Sequence, residues 1–210
     1  MKNAKQLICD NAVSLFNQKG YANVSLREIA KASGMAVGNL TYYFKKKDDL
    51  VAAIISGLLD DYSRDFTPGL TGESNLQNLL FTFRKTEESH EKYSFFFKNM
   101  GTITASSEYF FEMKKEFQKM LYAYYFSSLS SLQKDGIIKP SFSSRSIENL
   151  AFVFTHLLSN WCEMGGPGSL PEFSSFSLSE TFVSLLLPFL SEEYVPKLKV
   201  LLEHSRGTTL

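Results

Sequence analysis

An all-α fold is predicted for this chain of 210 residues, a small N-terminal three-helix unit joined to a larger helical body. Three observations carry that expectation. Apolar residues recur at three- and four-residue spacing almost throughout, glycines stand where those stretches stop, and no segment alternates apolar and polar residues as a half-buried strand does. No internal repeat is present.

The elements follow in order. Ile8, Ala12, Leu15 and Phe16 form one face of a first helix, and Gly20 sits where a C-cap would stop it. Ser25 opens a second helix, with Glu28 three residues on to complete a capping box, Ile29 and Ala30 as its inner side, and Gly34 at its end. A third helix over about 36–43 turns Ala36, Leu40 and Phe44 inward. The fourth starts acidic, at Asp48 and Asp49, and carries Val51, Ile54, Ile55, Leu58 and Tyr62 on one stripe. TPGLTGES (67–74) breaks the pattern, and longer helices follow.

Phe110, Met113, Phe117, Met120 and Tyr124 step through a helix over about 106–133, closed by Asp135-Gly136. Ile147, Leu150, Ala151, Phe154, Leu157, Leu158 and Trp161 do the same before the turn GGPGSLP (165–171). An apolar stretch over 176–190, interrupted by Pro188, and a short helix over 193–204 end the chain.

Composition bounds the function. Hydrophobic residues make up 44% and charged residues 21%, the balance of a globular chain with a real core. Basic and acidic residues cancel at 22 each, but unevenly. Residues 1–50 hold eight bases and four acids, so this part is +4 and the rest −4: a basic contact module on an acidic body. Cys9 and Cys162 suggest neither a disulfide framework nor a zinc site. MKNAKQLICDN has no apolar core of signal-peptide length, and FVSLLLPFL (182–190) is far short of the ~20 residues that span a bilayer. The expected compartment is the cytoplasm, with no membrane partner.

His90, His156 and His204 lack metal spacing, and His156, among apolar neighbours, reads as a hydrogen-bonded core histidine. The serine-rich stretches come without a Gly-x-Ser-x-Gly motif, and no nucleophile stands with a base. No enzyme, cofactor or metal is expected.

The stretch SGMAVGNLTYYFKKK (33–47) carries the chemistry. A capped short helix, a glycine turn and a second short helix make a helix-turn-helix. A recognition helix of about eight residues is ~12 Å long, about the width of a DNA major groove. With Leu40 and Phe44 inward, Val37 and Thr41 lie on the opposite face beside Gly38, where their methyls can meet thymine methyls and the glycine allows close approach. Asn39, Tyr42 and Tyr43 offer amide and hydroxyl groups to phosphates. Lys45, Lys46 and Lys47 precede the fourth helix, whose N-terminal amides also favour a phosphate.

At these residues the chain resembles the TetR family of transcriptional regulators. SLREIAKASGMAVGNLTYYFKKKDDL is similar to that family's DNA-binding motif, and LICDNAVSLFNQKGYANV to its first helix, over about the first 60 residues. The resemblance implies a homodimer, an effector-binding helical domain and binding to an inverted-repeat operator in double-stranded DNA. Transferred by position, Arg27, Val37, Gly38 and Thr41 would contact bases, and Asn39, Tyr42, Tyr43 and Lys47 the backbone; Ser25 belongs to the same DNA-binding set. Thr41 stands where the family often has tyrosine, and Ala36 replaces its frequent serine cap. Base preference is therefore not carried over.

The expected domains are 1–47 for DNA binding, 48–65 as a connecting helix, and 66–210 for effector binding and dimerisation. The aromatic runs at 95–97, 109–111 and 122–126 offer more apolar surface than one core contact needs, as a cavity or an oligomer interface would. An effector pocket is expected from Phe96, Asn99, Met100, Phe110, Tyr122, Tyr125, His156, Asn160 and Trp161. Phe154 and Phe182 are expected in a dimer interface built by 147–163 and 176–190 as a four-helix bundle. The resulting reading is a repressor released from its operator by an apolar or amphipathic small molecule. The alternative is a helix-turn-helix regulator whose body docks a protein partner.

Overall fold

Ile8, Ala12 and Phe16 do share one face of α1 (Ala4–Lys19), and Gly20, at φ +83°, closes it. The following turn, Tyr21–Asn23, buries Val24 and leads into α2 (Leu26–Ala32) and α3 (Val37–Tyr43). Ile29, Ala30, Leu40 and Phe44 close over the α1 face to form the core of a three-helix head. The computed structural model describes residues 3–66, 69–105, 107–164 and 176–206.

The first half of α4 (Lys47–Asp65) buries Leu50 and Val51, and its last turns bury Leu58 and Tyr62. The body adds α5 (Gly72–Lys92), the short α6 (Ser94–Lys98) and α7 (Met100–Ala105), and the long α8 (Glu108–Lys134). Next come α9 (Ser144–Met164), α10 (Leu178–Leu186) and α11 (Tyr194–Arg206). Pro188 stands in a single 3₁₀ turn, Leu187–Phe189, since it cannot continue the α10 ladder. Most expected boundaries hold to within one or two residues, with Ala36 as the N-cap of α3, but α9 begins three residues before the expected 147 and α10 ends at Leu186, short of the expected 190. The expected turn at 165–171 lies outside the described residues. The β pairing seen among the described residues is one isolated antiparallel bridge, Ile138 to Leu190, after Gly136 (φ +75°) ends α8.

The body is held by rings. Phe83 of α5 stacks on Phe182 of α10 at 4.2 Å, and Phe154 of α9 meets both edge-on at 5.3 and 4.8 Å. Tyr125 of α8 closes the cluster, 5.5 Å from Phe154. Four helices thus meet at four rings, worth about 0.5–1.5 kcal/mol per pair beyond their burial. This corrects the expectation for Phe154 and Phe182. Both are 0% exposed within one chain, so neither can lie in an interface with another. Glu87 of α5 adds a polar tie, accepting from the Leu178 amide at 2.9 Å and from Ser177 and Ser179 hydroxyls at the start of α10.

Head and body are joined through the end of α1. The Asn17 side chain donates to the Lys92 carbonyl at 2.9 Å and accepts from the Phe95 amide at 2.9 Å and the Ser94 hydroxyl at 3.0 Å. Beside it, Phe16 packs on Phe95 with ring centroids 5.0 Å apart.

Phe182→Ala removes a fully enclosed ring from this cluster and should destabilise the protein by about 3–5 kcal/mol. Urea unfolding followed by circular dichroism measures the loss; a change under 1 kcal/mol would mean that the ring cluster does not hold the body together.

Candidate nucleic-acid interface

The turn between α2 and α3 is set by local chemistry. Ser25 Oγ accepts from the Glu28 amide at 3.3 Å, while Glu28 accepts from the Ser25 amide at 2.9 Å, so the capping box is complete. These bonds and Lys19, 3.0 Å away, hold the Glu28 carboxyl down at about 2, with the Ser25 amide as the largest cause. At the other end, the Met35 amide bonds Ala30 O and the Gly34 amide bonds Lys31 O, a Schellman pair that needs Gly34 at φ +66°. Asn11 of α1 donates to Ser33 Oγ at 3.2 Å and fixes the turn to the first helix.

The result is a short helix with one face locked. Leu40 and Phe44 are buried, whereas Val37, Gly38, Asn39 and Tyr42 are exposed, Tyr42 at 83%. Thr41 is half-buried and its hydroxyl donates to Gly38 O at 3.0 Å. Tyr43 packs edge-on against Tyr42 at 5.3 Å. A Cβ built on Gly38 meets no atom within 4 Å, so the fold does not require glycine there. A hollow of about 300 Å³ lies beside the helix, walled by Ala4, Met35, Asn39, Tyr42 and Tyr43.

Charge surrounds that face. Arg27, Lys31, Lys45 and Lys46 are exposed and make no ion pair among the described residues. Lys47 behaves differently. Its ammonium donates to the Tyr21 carbonyl and lies 4.2 Å from the centre of the Tyr21 ring and 5.4 Å from that of Phe16. Burial pulls its pKa below the usual lysine value, against the pull of Asp48 and Glu28. Expected on a phosphate, Lys47 in the free chain instead ties α4 to the turn after α1. The Lys46 amide is capped by Asp49 at 3.1 Å.

A family model for bacterial regulatory proteins of the tetR family matches residues 8–54, from the first core position of α1 into α4. Over those residues the chain is similar to the DNA-binding domain of the TetR family of transcriptional regulators. Among curated relatives, the probable HTH-type transcriptional regulator YttP of Bacillus subtilis is 31% identical over 108 residues, 49% of this chain. That match spans about half the relative's length, 52%. The HTH-type repressor KstR2 of Rhodococcus jostii is 27% identical over 192 residues, 86% of this chain and 90% of its own. A solved TetR-family regulator from Marinobacter aquaeolei shares the fold with a TM-score of 0.79 at 21% identity, over 97% of this chain and 98% of that one. The protein is therefore a DNA-binding transcriptional regulator.

The residues expected to form an effector pocket do not converge. Phe96, Met100 and Phe110 line one narrow apolar cavity between α4, α6–α7 and α8. Tyr125 is fully enclosed in the ring cluster, Tyr122 and His156 are exposed, and Trp161 packs half-buried on the core. Asn99 and Asn160 donate to backbone carbonyls of their own segments, Phe95 at 2.6 Å and His156 at 2.9 Å. His156 is not the core histidine either: its ring lies 4.0 Å from Phe152 on the outside of α9. That part belongs to His90, 2% exposed and stacked on Phe97 at 3.8 Å, with burial pushing its pKa to about 3. Helical periodicity put these residues on helices but could not say which face met which neighbour. Among the described residues no three His, Cys, Asp or Glu side chains cluster as a metal site, and no helix is long and apolar enough to cross a membrane.

Sequence reasoning missed Asn17 and the Tyr21–Lys47 contact. Both depend on elements far apart in the chain and leave no local pattern.

The two glycines of the motif separate folding from recognition. Gly34→Ala forces a left-handed conformation on a residue with a Cβ and should destabilise the head by about 1–2 kcal/mol. Gly38→Ala has free space and a better helix former, so stability should hold or rise by up to ~1 kcal/mol, while DNA affinity should fall if α3 enters the groove by this face as expected. Thermal melts beside gel-shift titrations check both; Gly38→Ala binding DNA as the parent does would place the DNA elsewhere.

Proposed function

We propose that the protein is a homodimeric repressor that binds an inverted-repeat operator and is released from it by a small apolar or amphipathic effector. The observation that carries this reading is the bare outer face of α3, rimmed by uncommitted cations and held rigidly from behind by Leu40 and Phe44. Arg27, Val37, Gly38 and Thr41 would read base edges. Ser25, Asn39, Tyr42 and Tyr43 would hold phosphates, joined by Lys45, Lys46 and, once released from Tyr21, Lys47. The working units are 1–47 for DNA, 48–65 as the connecting helix and 66–210 for effector and dimer contacts, in the cytoplasm with the DNA. KstR2, similar over most of its length, is itself named a repressor.

With Phe154 and Phe182 inside the core, the dimer contact falls to the outer face of α9. Phe152 is 54% exposed and Val153 38%, an apolar pair that one chain leaves in water. Two-fold symmetry across that face sets the two recognition helices about 34 Å apart, one turn of DNA, or a multiple of it. Release requires only that the effector favour a body shape in which this spacing fails. A coupling of about 1–3 kcal/mol is the usual scale. Because α4 buries residues in both head and body, it is the element through which such a change would pass.

Selection of bound fragments from random duplexes should return an inverted repeat. On it, Arg27→Ala should lose about 1–3 kcal/mol and relax preference at particular base pairs. Lys46→Ala should weaken all sequences alike and lower the salt slope by about one. The roles would be misassigned if Lys46→Ala changed base preference and Arg27→Ala did not. Phe152→Asp should give a folded monomer in sedimentation that binds the repeat far more weakly; an unaltered dimer would exclude this face.

A further inference from the structure

The cavity between α4, the α6–α7 segment and α8 has an apolar wall with one exception. Leu58 and Leu59 of α4, Phe96 and Met100 of α6–α7, and Met113 and Phe117 of α8 line it together. The exception is Lys114, half-buried at the rim. Its neighbours on α8 are neutralised within their own helix, Lys115 by Glu112 at 3.3 Å and Lys119 by Glu116 at 2.7 Å. Lys114 has no such carboxylate and makes no ion pair or hydrogen bond among the described residues. Half-buried among apolar lining residues and with no such ion pair, it is placed as a long side chain that covers apolar surface while its head takes a counter-charge.

The cavity is closed down to about 10 Å³, no more than one water occupies. The parts of its wall best able to move are the methionines. Met100 and Met113 are unbranched and refill or vacate space by rotation about single bonds. The covering helices α6 and α7 are only five and six residues long, so the lid is not a stiff rod. A slim, flexible ligand could part these side chains, and a broad rigid one could not.

We propose that this cavity is the effector site and that its ligand is an anionic amphiphile, with a linear acyl chain between α4 and α8 and its acidic head on Lys114. The inference rests on the effector reading above and assigns that effector its chemistry. A free fatty acid and an acyl thioester on a phosphorylated carrier share this chemistry, and the two sources are separated by testing both.

The test is calorimetric titration of the full-length protein with saturated C8, C10 and C12 carboxylates, the alcohols of equal length, and a C10 acyl thioester of coenzyme A, all below their micelle concentrations. Each added CH₂ should tighten binding about fourfold until the cavity is filled. Each acid, or the thioester in its place, should bind at least tenfold more tightly than the matching alcohol. Lys114→Gln should abolish that preference, and Lys114→Arg should keep it; melting temperatures of both variants confirm folding. Binding of the thioester alone would support the chemistry and identify its source. Equal binding of acid and alcohol, or a preference that survives Lys114→Gln, would overturn the assignment of the head to Lys114. Gel shifts with the same compounds distinguish the two readings. If none releases the operator but an unrelated small molecule does, the amphiphile is wrong and the effector reading stands. An operator complex indifferent to every compound that binds would overturn both.

Discussion

The burial of Phe16 is the contact on which the rest of the molecule depends. One face of its ring belongs to the three-helix head, and its edges meet Tyr21 at 5.4 Å and Phe95 of the body at 5.0 Å. The Lys47 ammonium that opens α4 lies over the same ring. Three separate tasks meet there: closing the head, starting the connecting helix, and seating the head on the body. Asn17, the next residue, adds three hydrogen bonds across the same joint and thereby fixes the direction of α1 relative to α6. Apolar contact alone would allow the two parts to roll; directional bonds on one amide hold their angle.

From that joint the recognition helix inherits its position. α3 has only seven residues and could not persist alone in water, since a helix so short does not repay its nucleation. It exists because Leu40 and Phe44 are enclosed and because Gly34 turns the chain within a single left-handed residue. The price is a surface left open: Val37, Asn39 and Tyr42 stay exposed. That open face is the one proposed to meet DNA.

The body divides its aromatic residues in a similar way. Phe83, Tyr125, Phe154 and Phe182 interlock at the meeting of four helices and make that part of the body stiff. Toward α4 the lining adds Leu58, Leu59, Met100 and Met113 beside Phe96, Phe110 and Phe117, so flexible side chains stand among the rings. The stiff part and the deformable part share α8, so a change in the cavity is carried along a helix whose far end is firmly anchored. Phe152 and Val153, by contrast, take no part in either region and are left exposed by the single chain.

What the sequence by itself determined are features whose physical cause lies within a few residues. The Ser25–Glu28 box, the glycine turn at Gly34, the inward Leu40 and Phe44 and the stop at Asp135-Gly136 are short-range hydrogen bonds or backbone preferences, and each was legible as a local pattern. The helix-turn-helix and the all-α class followed from them. What tertiary structure decided is which of two apolar faces of a helix turned inward. Phe154 went to the core and Phe152 to the surface, although they are two residues apart on the same helix and equally apolar. Lys47 turned from the expected phosphate to the Tyr21 carbonyl, and His90 rather than His156 became the buried histidine. Periodicity fixes angles around one helix axis, but enclosure depends on the neighbours on each side, and those are set by packing among residues tens of positions away.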